Sequence, residues 1–327
     1  MSTLRVKVEW QSEGHLHATC RTSLEECELT ATDHASPSLF SEGRIRISNS
    51  KVGALLWEHQ GQDAMAPSAS AFFAQDTQWE DCHVTLSECS GHIWDNHFVH
   101  STLRVQEPQN PFKVTGNVLQ APWHAATPTV SIAQGEGPVW VENNMWIQGL
   151  GLEVQNTAVA LKCNTWQECD GGAIHALGNS SVCMASECGG GGNVMDLNAW
   201  HFLLSNAPLP LMNGGNHMGW AFDGFIHGIT SEDVASWTVA GCSWDPTWGM
   251  GLWTGQVPAY LTANPNEGEV GVEVPVFAFD PRPRSPCTST KPPVKPVKKS
   301  KPSGSWNLLG QEIQDNQESN NASRADK

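Results

Sequence analysis

The sequence predicts an all-β chain folded as a right-handed parallel β-helix, a solenoid of roughly twenty-residue coils. Three observations lead there: a turn-rich composition, Gly-led strands that recur along the chain, and short runs of alternating apolar residues. Among 327 residues there are 30 Gly and 20 Pro, and only 16% are charged. Gly and Pro interrupt helices and serve the corners between strands, so a helical bundle is disfavoured.

The clearest unit is DGGAIHALGNSSVCMASEC at 170–188, in which a Gly turn, a short apolar strand, an Asn-centred corner and a second strand lead into Glu-Cys. Gly-led strands recur as GRIRIS at 43, GHIW at 91, GPVWV at 137, GAIHA at 172 and GNVMDL at 192. A second strand type alternates apolar with other residues, as IRISN at 45, VTLSE at 84, FKVTGN at 112, VALKCN at 159, VCMASE at 182 and FLLSN at 202. Such alternation marks strands with one buried face. Stacked coils turn sequence offsets into columns about 4.8 Å apart. Val159, Met184 and Leu204 are expected to line the interior, and Asn164 and Asn206 to share a corner where amides bond from coil to coil. Gly is expected to supply the positive φ at each corner. The alternative is a β-sandwich, whose strands would need no shared Glu-Cys punctuation.

The GGAI at 171–174, at a period near twenty, resembles the repeat of polymorphic outer-membrane proteins and, more broadly, of pectin-lyase-like right-handed β-helices. The likeness in pattern spans residues 15–255 and is close at 159–206. The companion Phe-x-x-Asn motif is not regular here and no autotransporter barrel follows, so the resemblance implies a fold and no function.

Three segments are expected: a β-helix with an N-terminal cap over 1–255, capping strands over 256–281, and a Pro/Lys-rich linker with a disordered tail over 282–327. The N-terminal LRVKVEW is the expected cap, since open terminal coils recruit other chains. In the tail, Trp306, Leu308, Leu309 and Ile313 are candidates for docking on a partner, against the plainer reading of a disordered terminus.

Formal charge is −16, and between Lys162 and Arg282 there are twelve carboxylates and no Lys or Arg. That stretch cannot neutralise a phosphate backbone, which excludes nucleic acid binding through the body. Neither an N-terminal apolar region nor a run of membrane-spanning length is present. Location stays open among retention where the chain is made, exit to the cell surface by a route not written at the N-terminus, and release by lysis as a virion-associated part. The cysteines form local pairs, 20 with 27, 82 with 89, 163 with 169 and 183 with 188, wider than usual zinc spacing. They read as buried thiols or, in an oxidising compartment, as corner disulfides. HIWDNHFVH, with His92, Asp95, His97 and His100, groups metal-ligand types without a metal spacing, so neither metal nor cofactor is expected.

Aligning the Gly-led strands places Arg46, Trp94, Trp140, His175 and Met195 in one outward column. Two indoles and an imidazole suit a sugar-binding face, because flat rings cover C–H surfaces while polar edges take hydroxyls. Trp94, Trp140 and His175 are therefore the candidate ligand-binding residues, against the reading that a loop covers them. Glycoside hydrolysis needs two carboxyl groups flanking the scissile bond. Glu168, Asp170 and Asp196, with Glu187, are the candidates, although Glu168 and Glu187 hold equivalent places in successive units and read as a solvated corner. Lyase chemistry on this fold needs a basic residue, and 163–281 has none. The leading expectation is a non-catalytic surface or appendage protein that binds a glycan or protein partner; the alternative is a β-helical glycoside hydrolase.

Overall fold

The computed structural model describes residues 2–18, 21–32, 35, 37–61, 70–212, 215–218, 221–228, 238–244 and 253–256. All lie in the first of two compact units, Met1–Ser289. The expected capping strands at 256–281, all but Gln256, and the tail, with Trp306, Leu308, Leu309 and Ile313, lie outside the described residues, as does Trp237.

Regular secondary structure among the described residues is strand, apart from a single 3-10 turn at Ser186–Cys188. No described helix is long and apolar enough to cross a membrane. Strands join three sheets of nine, twelve and ten members, and as far as Asn198–Ser205 the chain visits the first, second and third sheet in turn. Every pairing between strands is parallel except that of Thr238–Trp244 with Trp253–Gln256. This is an arrangement compatible with a parallel β-helix. The segment Lys7–Trp10, expected as a cap, forms a rung of the second sheet beside Glu28–Ala31.

Alternation of residue type becomes alternation of burial. Arg44–Ser48 reads exposed, buried, exposed, buried, buried, and Thr102–Gln106 places Leu103 and Val105 inward. Inward residues stack from circuit to circuit. In the second sheet Val52, Trp79, Phe98, Leu119, Trp146, Trp166 and Met195 form one column. Within it Trp79 stacks on Phe98 with centroids 5.7 Å apart, and Trp146 on Trp166 at 4.8 Å. Ring stacking adds about 1 kcal/mol per pair to area burial.

A side-chain ladder runs up the corner between the first and second sheets. Backbone N–H and Nδ2 of Asn96 both donate to Oδ1 of Asn117, at 3.0 Å each. The pattern repeats from Asn117 to Asn144, Asn144 to Asn164, Asn164 to Asn193 and Asn193 to Asn216. Successive members are 21, 27, 20, 29 and 23 residues apart. Nδ2 also donates to a main-chain carbonyl, Val114 O for Asn144 and Val141 O for Asn164. Buried amides left unbonded would each cost about 1–3 kcal/mol, and here they are bonded.

Four expectations are corrected. Corners do not rely on Gly: eighteen non-Gly residues have positive φ, including Glu26, Asp76, Asp95, Asn143, Cys163 and Glu168. Many of their N–H groups still donate to the main chain of the next circuit, as Asp95 does to Thr115 O at 3.1 Å, which offsets the strained backbone. Val159, Met184 and Leu204 are all buried but form no column: Val159 stands between Val139 and Val182 in the first sheet, while Leu204 pairs with Ala176 in the third. Asn164 is in the ladder, whereas Asn206 occupies the left-handed corner after the third-sheet strand Asn198–Ser205. Glu168 is a left-handed corner residue and Glu187 belongs to the 3-10 turn, so their places are not equivalent.

Cys27, Cys82, Cys89 and Cys169 are buried thiols, and Cys183 is disulfide-bonded to Cys188. Of the local pairs expected from the sequence, the last is therefore a bond, and the pairings of 27, 82, 89 and 169 are not. Burial pushes the Cys82 thiol up to about 11 and that of Cys89 up to about 12.

Candidate functional site

Strands of the first sheet carry a group of outward aromatic and cationic side chains that touch one another. In register, Arg46, Phe73, His92, Lys113, Trp140 and Ala160 form one outward column. Gln75, Trp94, Thr115, Glu142 and Lys162 form the next. Phe73, His92, Trp94 and Trp140 are half-buried, so each keeps part of its ring for solvent. His92 and Trp94, two residues apart on one strand face, stack with centroids at 4.6 Å. Phe73 meets Trp94 edge-on at 6.5 Å, and the Arg44 guanidinium lies 5.1 Å over the Phe73 ring. Polar groups fix the rim: Arg46 Nη2 donates to Gln75 Oε1 at 3.3 Å, and His92 Nε2 is 2.7 Å from Thr115 Oγ1. Burial, helped by the charge of Lys113, lowers the His92 pKa, while Asp95 opposes that. His92 therefore favours its neutral form, which suits a hydrogen-bonding ring.

Trp94 and Trp140 share this sheet but occupy neighbouring columns, two circuits apart. The single outward column read from the sequence is thereby corrected. His175 lies on the third sheet between Glu153 and Leu203; its Nε2 is 3.2 Å from Ser205 Oγ and its Nδ1 3.7 Å from Glu153. Met195 points inward, fully buried above Trp166. The alignment failed because GRIRIS, GHIW and GPVWV are first-sheet strands, GAIHA a third-sheet strand and GNVMDL a second-sheet strand. Phe73 was missed because Ala71–Gln75 has no leading Gly; its AFFAQ alternation was the available signal.

Glu168, Asp170 and Asp196 lie at or beside the corner between the second and third sheets, whereas Glu187 lies in the 3-10 turn between a first-sheet and a second-sheet strand. Asp170, its side chain 15% exposed, accepts from Gly149 N at 2.8 Å through Oδ1 and from His124 N at 2.5 Å through Oδ2. The His124 ring Nδ1 stands 2.8 Å from the same Oδ2. These bonds tie the connection after Val118–Gln120 to the next circuits, so Asp170 works as a staple. Glu168 N–H donates to Asp196 O at 3.2 Å, which places these two residues on adjacent circuits. Of the histidine group, His92 faces out from the first sheet, His97 lies on the second, and Asp95 and His100 turn two different corners. Among the described residues no group of three or more His, Cys, Asp or Glu side chains is arranged to hold a metal.

Comparison with protein-family models, with curated proteins and with solved structures finds no match.

Proposed function

We propose that the chain is a right-handed parallel β-helix of roughly twenty-residue coils, and that the outer face of its first sheet holds a glycan without cleaving it, as part of a surface or appendage protein. The observation that carries this reading is the continuous cluster of Arg44, Phe73, Trp94, His92 and Thr115, with Trp140 further along the same face. Half-exposed rings cover the apolar faces of sugars, and Gln75, Thr115 and Glu142 in the adjoining column offer donors and acceptors for hydroxyls. A stacked sheet repeats such groups at a step of about 4.8 Å, close to the length of one pyranose unit. Asp170, the strongest hydrolase candidate by position, has both oxygens engaged with backbone N–H groups.

The test is a glycan array probed with the full chain, followed by titration of each hit. Binding lost in Trp94→Ala and Trp140→Ala but kept in Trp123→Ala, which removes an indole 54% exposed outside the three sheets, supports the reading. Release of reducing ends from any bound polysaccharide, abolished by Asp170→Asn or Asp196→Asn, would replace it with the hydrolase.

A further inference from the structure

On the outer face of the third sheet three successive circuits bring together a carboxylate, an imidazole and a hydroxyl. In register, Arg104, Ser131, Glu153, His175 and Leu203 follow one another up the sheet. Ser205, two residues beyond Leu203, stands beside Leu177 in the neighbouring outward column. The imidazole of His175 reaches across from its own column, so that its Nε2 is 3.2 Å from Ser205 Oγ. Its other nitrogen, Nδ1, lies 3.7 Å from Glu153 Oε2, while Glu153 Oε1 accepts from Ser131 Oγ at 2.9 Å.

The chemistry of these partners places the ring proton. A carboxylate only accepts, so the proton belongs on Nδ1, facing Glu153, and Nε2 keeps a lone pair for the Ser205 hydroxyl. Burial lowers the His175 pKa, although Glu153 opposes this, and a neutral ring is the form that can take a proton. The His175 and Glu153 side chains are each 23% exposed, whereas Ser205 is exposed. The base and its carboxylate are thus shielded while the hydroxyl faces solvent. Leu203 leaves it open: a Cβ added to Gly172 would lie 2.8 Å from Leu203 Cδ1, so that side chain leans along the strand away from Ser205. Leu177, half-buried beside Ser205, gives an apolar edge on which a short acyl chain can rest.

We propose that Ser205, His175 and Glu153 form a nucleophile–base–carboxylate triad that hydrolyses short-chain carboxylic esters at the third-sheet face. Ser205 Oγ attacks the ester carbonyl carbon, and His175 Nε2 takes the hydroxyl proton as the C=O electron pair moves onto oxygen. The tetrahedral intermediate collapses, the C–O bond to the alcohol breaks, and His175 returns its proton to that leaving oxygen. Water then attacks the acyl-serine, giving a proton to His175, which passes it to Ser205 Oγ as the carboxylic acid departs. Glu153 touches no reacting atom; it is a positioning residue that holds the ring and steadies the imidazolium. Only an ester bond is cut, so glycosidic bonds stay whole and the triad stands independently of the glycan reading.

The experiment follows p-nitrophenolate release from p-nitrophenyl acetate by the full chain and locates the adduct of a fluorophosphonate by peptide mass spectrometry. Hydrolysis above the buffer rate is expected, with the adduct on Ser205. Ser205→Ala should return the rate to background and abolish the adduct, and His175→Gln should slow turnover by about a hundredfold or more. Glu153→Gln should lower kcat, and Glu153→Asp, which restores the carboxylate, should recover part of it; a space-filling role would rank the two the other way. Urea unfolding of each variant checks that it is folded, and the adduct on the full chain decides the matter without any substitution. Hydrolysis no faster than buffer, an adduct elsewhere than Ser205, or an undiminished rate in Ser205→Ala overturns the triad. Ester hydrolysis without glycan retention sinks the glycan reading and leaves the triad standing; retention without hydrolysis does the reverse.

Discussion

The strands Ser90–Trp94, Phe112–Thr115 and Val139–Glu142 end at the Asn corner on one side and present the aromatic face on the other. At the corner every Asn amide is spent inside the protein: Asn144 alone takes two bonds from Asn117 and gives one each to Val114 O and Asn164. On the face the same backbone carries half-exposed rings and cations whose neighbours leave them incompletely satisfied. Arg46 stands between Ser23 and Phe73, and Lys113 between His92 and Trp140, so neither has a carboxylate beside it in the ladder. The second sheet does otherwise, pairing Lys7 with Glu28 at 3.1 Å and Lys51 with Glu80 at 3.5 Å. Polar groups that bond to one another build the stack, and on the proposed binding face the side chains keep part of their surface towards solvent.

That division breaks if the two regions respond alike to substitution. The largest effect is expected at the corner: Asn144→Ala removes four hydrogen bonds and should cost about 4 kcal/mol, read from urea unfolding. Acid provides the next test of the interior. His59 is 1% exposed, its Nδ1 is 3.0 Å from Ser41 Oγ, and its Nε2 has no partner among the described residues. Burial lowers its pKa to about 4 from 6.5. Below pH 6.5 the unfolded chain binds a proton that the folded chain refuses, so this contribution to stability is intact above that pH and is lost as pH falls towards 4. The expected loss is about 3 kcal/mol between pH 7 and pH 4, absent in His59→Phe, with unfolding midpoints at the two pH values as the check.

On the face the order should reverse. Trp94→Ala should cost about 1–2 kcal/mol of stability, from two lost ring contacts, with His92 and Phe73, while abolishing retention on whichever glycan the full chain binds. Smallest of all is Lys51→Ala, which removes an exposed ion pair worth about 0.5 kcal/mol and should leave both the unfolding midpoint and glycan retention unchanged.

Alternation in short runs placed strands such as Arg44–Ser48, His83–Ser87, Phe112–Thr115 and Ala158–Lys162 but not the short Val118–Gln120, and Asn164 was recognisable as a ladder residue. The sheet to which each strand belongs was not legible, and the corners explain why. Glu26–Cys27 turns from the first sheet to the second, Glu168–Cys169 from the second to the third, and Glu88–Cys89 from the third to the first. A left-handed residue followed by a small buried one makes the same local bend at all three, so the recurring Glu-Cys reports a corner without saying which. Val159 and Leu204 were aligned across sheets for that reason. Trp94 and Trp140 were identified as outward because alternation alone decides facing, whereas Met195 was misread because Val194, after its Gly, faces out. The contact of His124 with Asp170 joins residues 46 apart and has no local signature.

The most direct measurement is calorimetric titration of the full chain and of Trp94→Ala with the tightest-binding glycan from an array, alongside urea unfolding of both. The prediction is an affinity at least about tenfold weaker in Trp94→Ala, equivalent to about 1.4 kcal/mol, with a loss of stability well below that of Asn144→Ala. Equal affinities for the two proteins would contradict the assignment of the first-sheet face as the binding surface.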